Sequence, residues 1–111
     1  MDTYAVIVEK YGIEKNHNIL APENFIFNEI DNATIQGFTS VMLSSGVHVF
    51  STLENILDYA DKHNKDYVII EDNMLENIGN GKPRPGMTYS QYQLAGIEEG
   101  LYVFRNISNK Y

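Results

Sequence analysis

The chain has no cysteine and no tryptophan, only three prolines, and 8 Lys+Arg against 15 Asp+Glu. Each shortage excludes something. Without cysteine there is no disulfide framework, no thiolate metal centre and no cysteine nucleophile. With so few bases, a formal net charge of -7 opposes non-specific attraction to a nucleic-acid backbone. No apolar run approaches the ~18 residues that a membrane span requires, and Met1-Asp2-Thr3-Tyr4 lacks the basic start of a secretory signal. These features give the expectation of a cytoplasmic protein that meets no membrane. Gly-x-Ser-x-Gly and Ser-x-x-Lys arrangements are missing as well, so no serine has a legible base. Nothing in the sequence calls for a cofactor or a metal. Asn32-Ala33-Thr34 and Asn106-Ile107-Ser108 fit a glycosylation acceptor, which has no meaning without secretion.

What is present is a chain of 111 residues, 43% apolar. That length fits one domain spanning residues 1–111, and it suffices to bury roughly two thirds of the unfolded chain's surface. The charge is unevenly placed. Residues 1–61 hold nine acids and two bases, and residues 62–111 hold six of each. The whole net charge therefore belongs to the first 61 residues, and such asymmetry is an interaction signal.

Residues 3–10 are β-branched and aromatic and read as a strand buried on both faces. Residues 13–24, polar and rich in Asn, read as a loop. A further strand is expected over 25–30. Residues 38–43 and 47–50, separated by a short link ending in Gly46, read as a hairpin. The strongest helix signal follows. Ser51-Thr52-Leu53-Glu54 fits a capping box, and Leu53, Ile56, Leu57 and Ala60 recur on one stripe, so a helix spans 52–63. Strands are expected over 66–71 and 101–107. Taking 47–50 as its first strand, a βαβ crossover runs through this helix to 66–71. A short helical turn is expected over 72–78. Residues 79–86, with three glycines and two prolines, exclude regular structure. Residues 88–96 carry both a cap signal and strand composition, and the cap favours a helix. The expected fold is α+β: a mixed, mostly antiparallel sheet of five to six strands with one or two helices packed on one face.

Three functional readings follow. The first is a protein-binding module, an inhibitor or regulator that covers a basic surface of a nuclease or other nucleic-acid-binding enzyme. Immunity proteins and phage anti-defence proteins are analogues by class. Its contacts would come from Glu54, Asp58, Asp61 and Tyr59 on the exposed face of the 52–63 helix. Eight tyrosines support it, because tyrosine suits a binding face. Tyr11, Tyr59, Tyr89, Tyr92 and Tyr111 are expected to reach the surface, and a homo-oligomer is compatible with it. The second is a small-ligand or nucleotide binder. Lys82 and Arg84, in the 79–86 loop, would hold phosphate, and Tyr89 and Tyr92, on one helical face, would stack a base. The third is a small enzyme with His48 as acid or base and the carboxylates Glu71 and Asp72; with Glu76, these also form the one oxygen-rich cluster resembling a magnesium site.

Overall fold

A computed structural model describes residues 3–14, 16–23, 34–79 and 81–108. The elements in chain order are helix α1 (Thr3–Lys10), strands β1 (Asn18–Ala21) and β2 (Thr34–Gly37), helix α2 (Phe38–Ser45), a 3-10 turn (Val47–Phe50), helix α3 (Leu53–Lys62), strand β3 (Tyr67–Glu71), helix α4 (Asp72–Asn77), and strands β4 (Thr88–Tyr89), β5 (Tyr92–Glu98) and β6 (Leu101–Asn106). The six strands form one sheet in the order β2-β1-β3-β6-β5-β4. β1 runs parallel to both β2 and β3, and the three pairings on the other side are antiparallel. The α+β class and the mixed, mostly antiparallel sheet match the sequence reading.

The helices do not keep to one face. Successive strand side chains point to opposite faces, and here they enter two separate cores. Leu20, Val68, Ile70, Tyr102 and Phe104 join Phe38, Val41, Leu53, Ile56, Leu57 and Leu75 of α2, α3 and α4. Ile19, Ala21, Tyr67, Ile69, Leu101 and Val103 join Ile7 of α1, with Tyr4, Val8 and Tyr11 packed against them. β3 is buried through Tyr67, Val68, Ile69 and Ile70. A strand apolar on both sides needs cover on both, and α1 supplies the second layer.

Several expected elements differ. Residues 3–10 are helical because Tyr4, Ile7, Val8 and Tyr11 share one stripe, which outweighs their β composition. The segment 13–24 is not all loop, since Asn18–Ala21 is β1, fully buried at Ile19, Leu20 and Ala21. The expected strand at 25–30 lies outside the described residues. The hairpin of 38–43 with 47–50 is instead α2 followed by a 3-10 turn. Phe38 and Val41 turn inward at helical spacing, and the Glu23 carboxylate accepts the Thr39 N–H at 2.7 Å, placing a negative charge at the positive helix end. A Cβ on Gly37 would collide with that carboxylate, so Gly37 is what lets Glu23 reach it.

Because 47–50 is not a strand, the crossover that enters β3 begins at β2, with β1 lying between the two. α3 forms as expected, but its cap is Thr52, whose hydroxyl accepts from the Asn55 N–H at 3.0 Å; Ser51 donates instead to the His48 carbonyl. Residues 88–96 are not a helix. β4 and β5 pair antiparallel across Ser90-Gln91, with Tyr89 opposite Tyr92. A tight turn joins β5 to β6, and Glu99 and Gly100 both take positive φ there, as a two-residue hairpin requires.

One contact ties α1 to the sheet. The Tyr11 hydroxyl donates to Glu98 Oε2 at 2.6 Å, and Lys10 Nζ meets the same oxygen at 2.9 Å. The Tyr11 hydroxyl crosses Gly96 so closely that a Cβ there would collide with it. Gly96→Ala is therefore expected to cost about 1–2 kcal/mol, measured by urea unfolding, and clearly less in a Tyr11→Phe background, where the obstructing oxygen is gone.

The same cluster sets a pH response. The Tyr11 hydroxyl first, then the Lys10 ammonium, hold the Glu98 carboxyl below the usual carboxylate range. A carboxyl depressed on folding stabilises above its unfolded pKa, and that stability is lost as pH falls through the folded value. Glu98→Gln should flatten the fall in stability below about pH 4, read from acid titrations of both proteins.

Candidate functional site

A concavity lies on the α2–α3 side of the sheet, between the 3-10 turn and α3. It measures about 320 Å³ and is lined by Ser45, His48, Val49, Asn55, Asp58, Tyr59, Lys62 and His63. Local chemistry puts each element there. Gly46, at φ 87°, ends α2 and starts the turn, with its N–H donating to the Met42 carbonyl. Phe38 and Phe50 then meet edge to face at 5.6 Å, pinning the turn. α3 buries Leu53, Ile56, Leu57 and Ala60, which leaves Asn55, Asp58 and Lys62 exposed and Tyr59 half-buried against the edge of the core.

Within the cleft, the Tyr59 ring lies 4.2 Å from the His63 ring. Asp58 accepts a hydrogen bond from the Ser90 hydroxyl in the β4–β5 turn. In the segment that supplies Ser45 and His48, Leu43 is 80% exposed, Val47 63% and Met42 41%.

The predicted protein-contact residues are thus partly gathered. Asp58 and Tyr59 line the cleft, and Glu54 is exposed one turn earlier on α3. Asp61 faces elsewhere and accepts from Asn106 Nδ2 at 3.0 Å. The acids of residues 1–61 do not form a single surface. Glu9 and Glu14 belong to the α1 side, whereas Glu54 and Asp58 belong to the α3 side; Asp2, Glu29 and Asp31 lie outside the described residues. The surplus of surface tyrosine shrinks too. Tyr92 is completely buried, Tyr11, Tyr59 and Tyr89 are half-buried, and Tyr111 lies outside the described residues.

The four predicted ligand residues are not brought together. Lys82 meets Asp72 at 3.0 Å and Glu76 at 3.8 Å, so its charge is already engaged; this pairing holds the Asp72 carboxyl below its ordinary range and raises Lys82. Arg84 is exposed. Tyr89 and Tyr92 face each other across a hairpin rather than sharing a helical face. The Tyr92 hydroxyl donates to the Lys65 carbonyl at 2.6 Å, and burial pushes its ionisation above the ordinary phenol range. Of the predicted catalytic set, His48 lines the cleft, whereas Glu71 and Asp72 end β3 and start α4, where Asp72 accepts from Tyr102 at 3.1 Å. No group of three or more His, Asp or Glu among the described residues is arranged to hold a metal, and no described helix is long and apolar enough to cross a membrane.

Sequence reading missed these exposed apolar residues and half of the cleft. Leu43 and Val47 were hidden by reading their segments as strands, and a helical period over 38–45 would have placed Leu43 outside. His63 has a sufficient local reason as the helix C-cap, so nothing in the sequence linked it to His48. No family model, curated protein or solved structure matches this chain.

If Tyr92 is a framework residue, removing its hydroxyl acts on stability. Tyr92→Phe is expected to cost about 1 kcal/mol in chemical unfolding, since the Lys65 carbonyl keeps only the 3.4 Å contact from Asn106. An unchanged midpoint would oppose this role.

Proposed function

We propose that this chain is a protein-binding module that docks through α2, the 3-10 turn and α3 onto a basic, partly apolar surface of a partner. The observation that carries the reading is the exposure of Leu43 and Val47, which lie in the α2 and 3-10 segment that also supplies Ser45 and His48 to a cleft containing Asp58 and Tyr59, with Glu54 exposed on the same helix as those two. Large exposed apolar side chains framed by polar ones mark interaction surfaces. The apolar residues supply desolvation energy, and the carboxylates steer a cationic partner.

Charge decides the kind of partner. The chain carries -7 overall, and residues 1–61 bring only Lys10 and Lys15 as bases, of which Lys10 is engaged by Glu98 on the α1 side. A basic surface is therefore favoured by the net charge of the molecule; inside the cleft Asp58 and Lys62 offset each other, and Glu54 adds an exposed negative charge on the same helix. Nucleic-acid-handling enzymes present such surfaces because they neutralise phosphates, so the role proposed is an inhibitor or regulator that occupies one.

A synthetic amphipathic peptide of leucine and lysine tests the chemistry. In amide chemical-shift mapping, its addition should move signals of residues 42–63 and leave those of α1 still. Glu54→Lys combined with Asp58→Lys should weaken binding about tenfold and flatten its salt dependence. Leu43→Ser combined with Val47→Ser should weaken it while preserving the salt slope. Shifts centred on α1, or binding indifferent to both pairs, would overturn the reading.

A further inference from the structure

The turn between β4 and β5 holds a residue that its backbone does not suit. Ser90 takes φ 55°, a region that strains a residue carrying a Cβ and costs glycine nothing. Two-residue hairpin turns favour Gly, Asn or Asp at such positions. Among the described residues the other side chains at positive φ are Asn64, a type that tolerates it, and Glu99, which accepts from Thr3 of α1.

The hairpin has other means of staying in place. Tyr92, at its inner end, is fully buried and donates to the Lys65 carbonyl. Tyr89 meets Phe104 edge-on at 6.2 Å, and the Gln91 carbonyl accepts the Ile107 N–H at 2.9 Å. What the Ser90 hydroxyl reaches is Asp58 Oδ1 on α3, in the wall of the docking cleft. Asp58 has a second candidate partner on its own helix. Lys62 stands four residues on, the spacing at which an acid and a base ordinarily meet, yet no ion pair joins the two among the described residues.

We infer that Ser90 is a positioning residue of the docking face, whose hydroxyl withholds Asp58 from Lys62 and keeps the carboxylate's charge available to a cationic partner. The inference rests on the docking reading above. A hydroxyl fixes the direction of a carboxylate without cancelling its charge, whereas an ammonium would do both. The unfavourable backbone at Ser90 is then the cost of putting a donor where Asp58 needs one.

Ser90→Gly removes the donor and suits the backbone, so its urea midpoint should hold. Three-bond couplings across the Asp58 Cα–Cβ bond report the carboxylate's rotamer with no partner present, and they should change in this variant. Affinity for the leucine/lysine peptide, by calorimetry, should fall about threefold. That loss should vanish in an Asp58→Asn background and shrink in a Lys62→Gln background, where the competing ammonium is gone. Unchanged couplings, or a loss that persists undiminished in both backgrounds, overturns the positioning role and leaves the docking reading standing. A clearly lower midpoint also overturns it, by making the hydroxyl a framework contact. Failure of the peptide to bind the wild-type protein overturns the docking reading, and the positioning role with it.

Discussion

The structure depends on one constraint: the central strands are apolar on both sides. Tyr67 and Ile69 of β3 point into one core and Val68 and Ile70 into the other, and Leu101 to Phe104 of β6 divide in the same way. Exposing either set would forfeit roughly 1.5–3 kcal/mol for each large side chain, more than a marginally stable domain can tolerate over several residues. Helices must therefore lie on both faces. α1 covers one, and α2, α3 and α4 cover the other. The Tyr11–Glu98–Lys10 cluster matters because it anchors α1, which covers one of the two faces, and Gly96 is small because that anchor crosses it.

The same constraint explains where the polar chemistry is found. α3 spends its apolar stripe on the core, so Asn55, Asp58 and Lys62 face outward, while Tyr59 stays half-buried against the core. The turn that precedes α3 must reverse direction within a few residues, and Gly46 with the Phe38–Phe50 contact achieves this. His48 is thereby carried next to the end of α3, where His63 closes the helix. Burial does not explain Leu43 and Val47. The core-facing positions of their segment are already taken by Phe38, Val41 and Val49, and Leu43 and Val47 are more exposed than the other exposed large apolar residues, Met42, Met87, Ile97 and Ile107.

How much of this was legible in the sequence depended on whether local and tertiary preferences agreed. α3 has a cap, a stripe and complementary charge, and it was read correctly. β3 and β6 are dense β-branched and aromatic runs bounded by turn residues, and they were also read. α1 and α2 failed because Thr, Tyr, Val, Ile and Phe favour strands intrinsically, whereas the actual arrangement follows the spacing of Tyr4, Ile7, Val8 and Tyr11, and of Phe38 and Val41. β1 failed for the opposite reason. Four residues inside a polar stretch carry little local signal, and β1 exists because β2 and β3 pair with it on either side. Tyr92 looked like a ligand residue only while 88–96 was read as a helix; once Ser90-Gln91 turns the chain, its ring falls inside the core.

The charge asymmetry also changes meaning once the sheet is in place. Nine acids in residues 1–61 suggest one acidic surface, yet the chain crosses from one side of the sheet to the other between α1 and α2. Glu9 and Glu14 remain behind, close to Lys10, while Glu54 and Asp58 move to the side where the cleft lies. Exposed charges separated by more than a Debye length of about 8–10 Å are largely screened from one another, and the molecule is about 30 Å across. For the docking proposed above, orientation at contact would therefore come from Glu54 and Asp58 on α3, whereas the acids on the α1 side would act there only weakly.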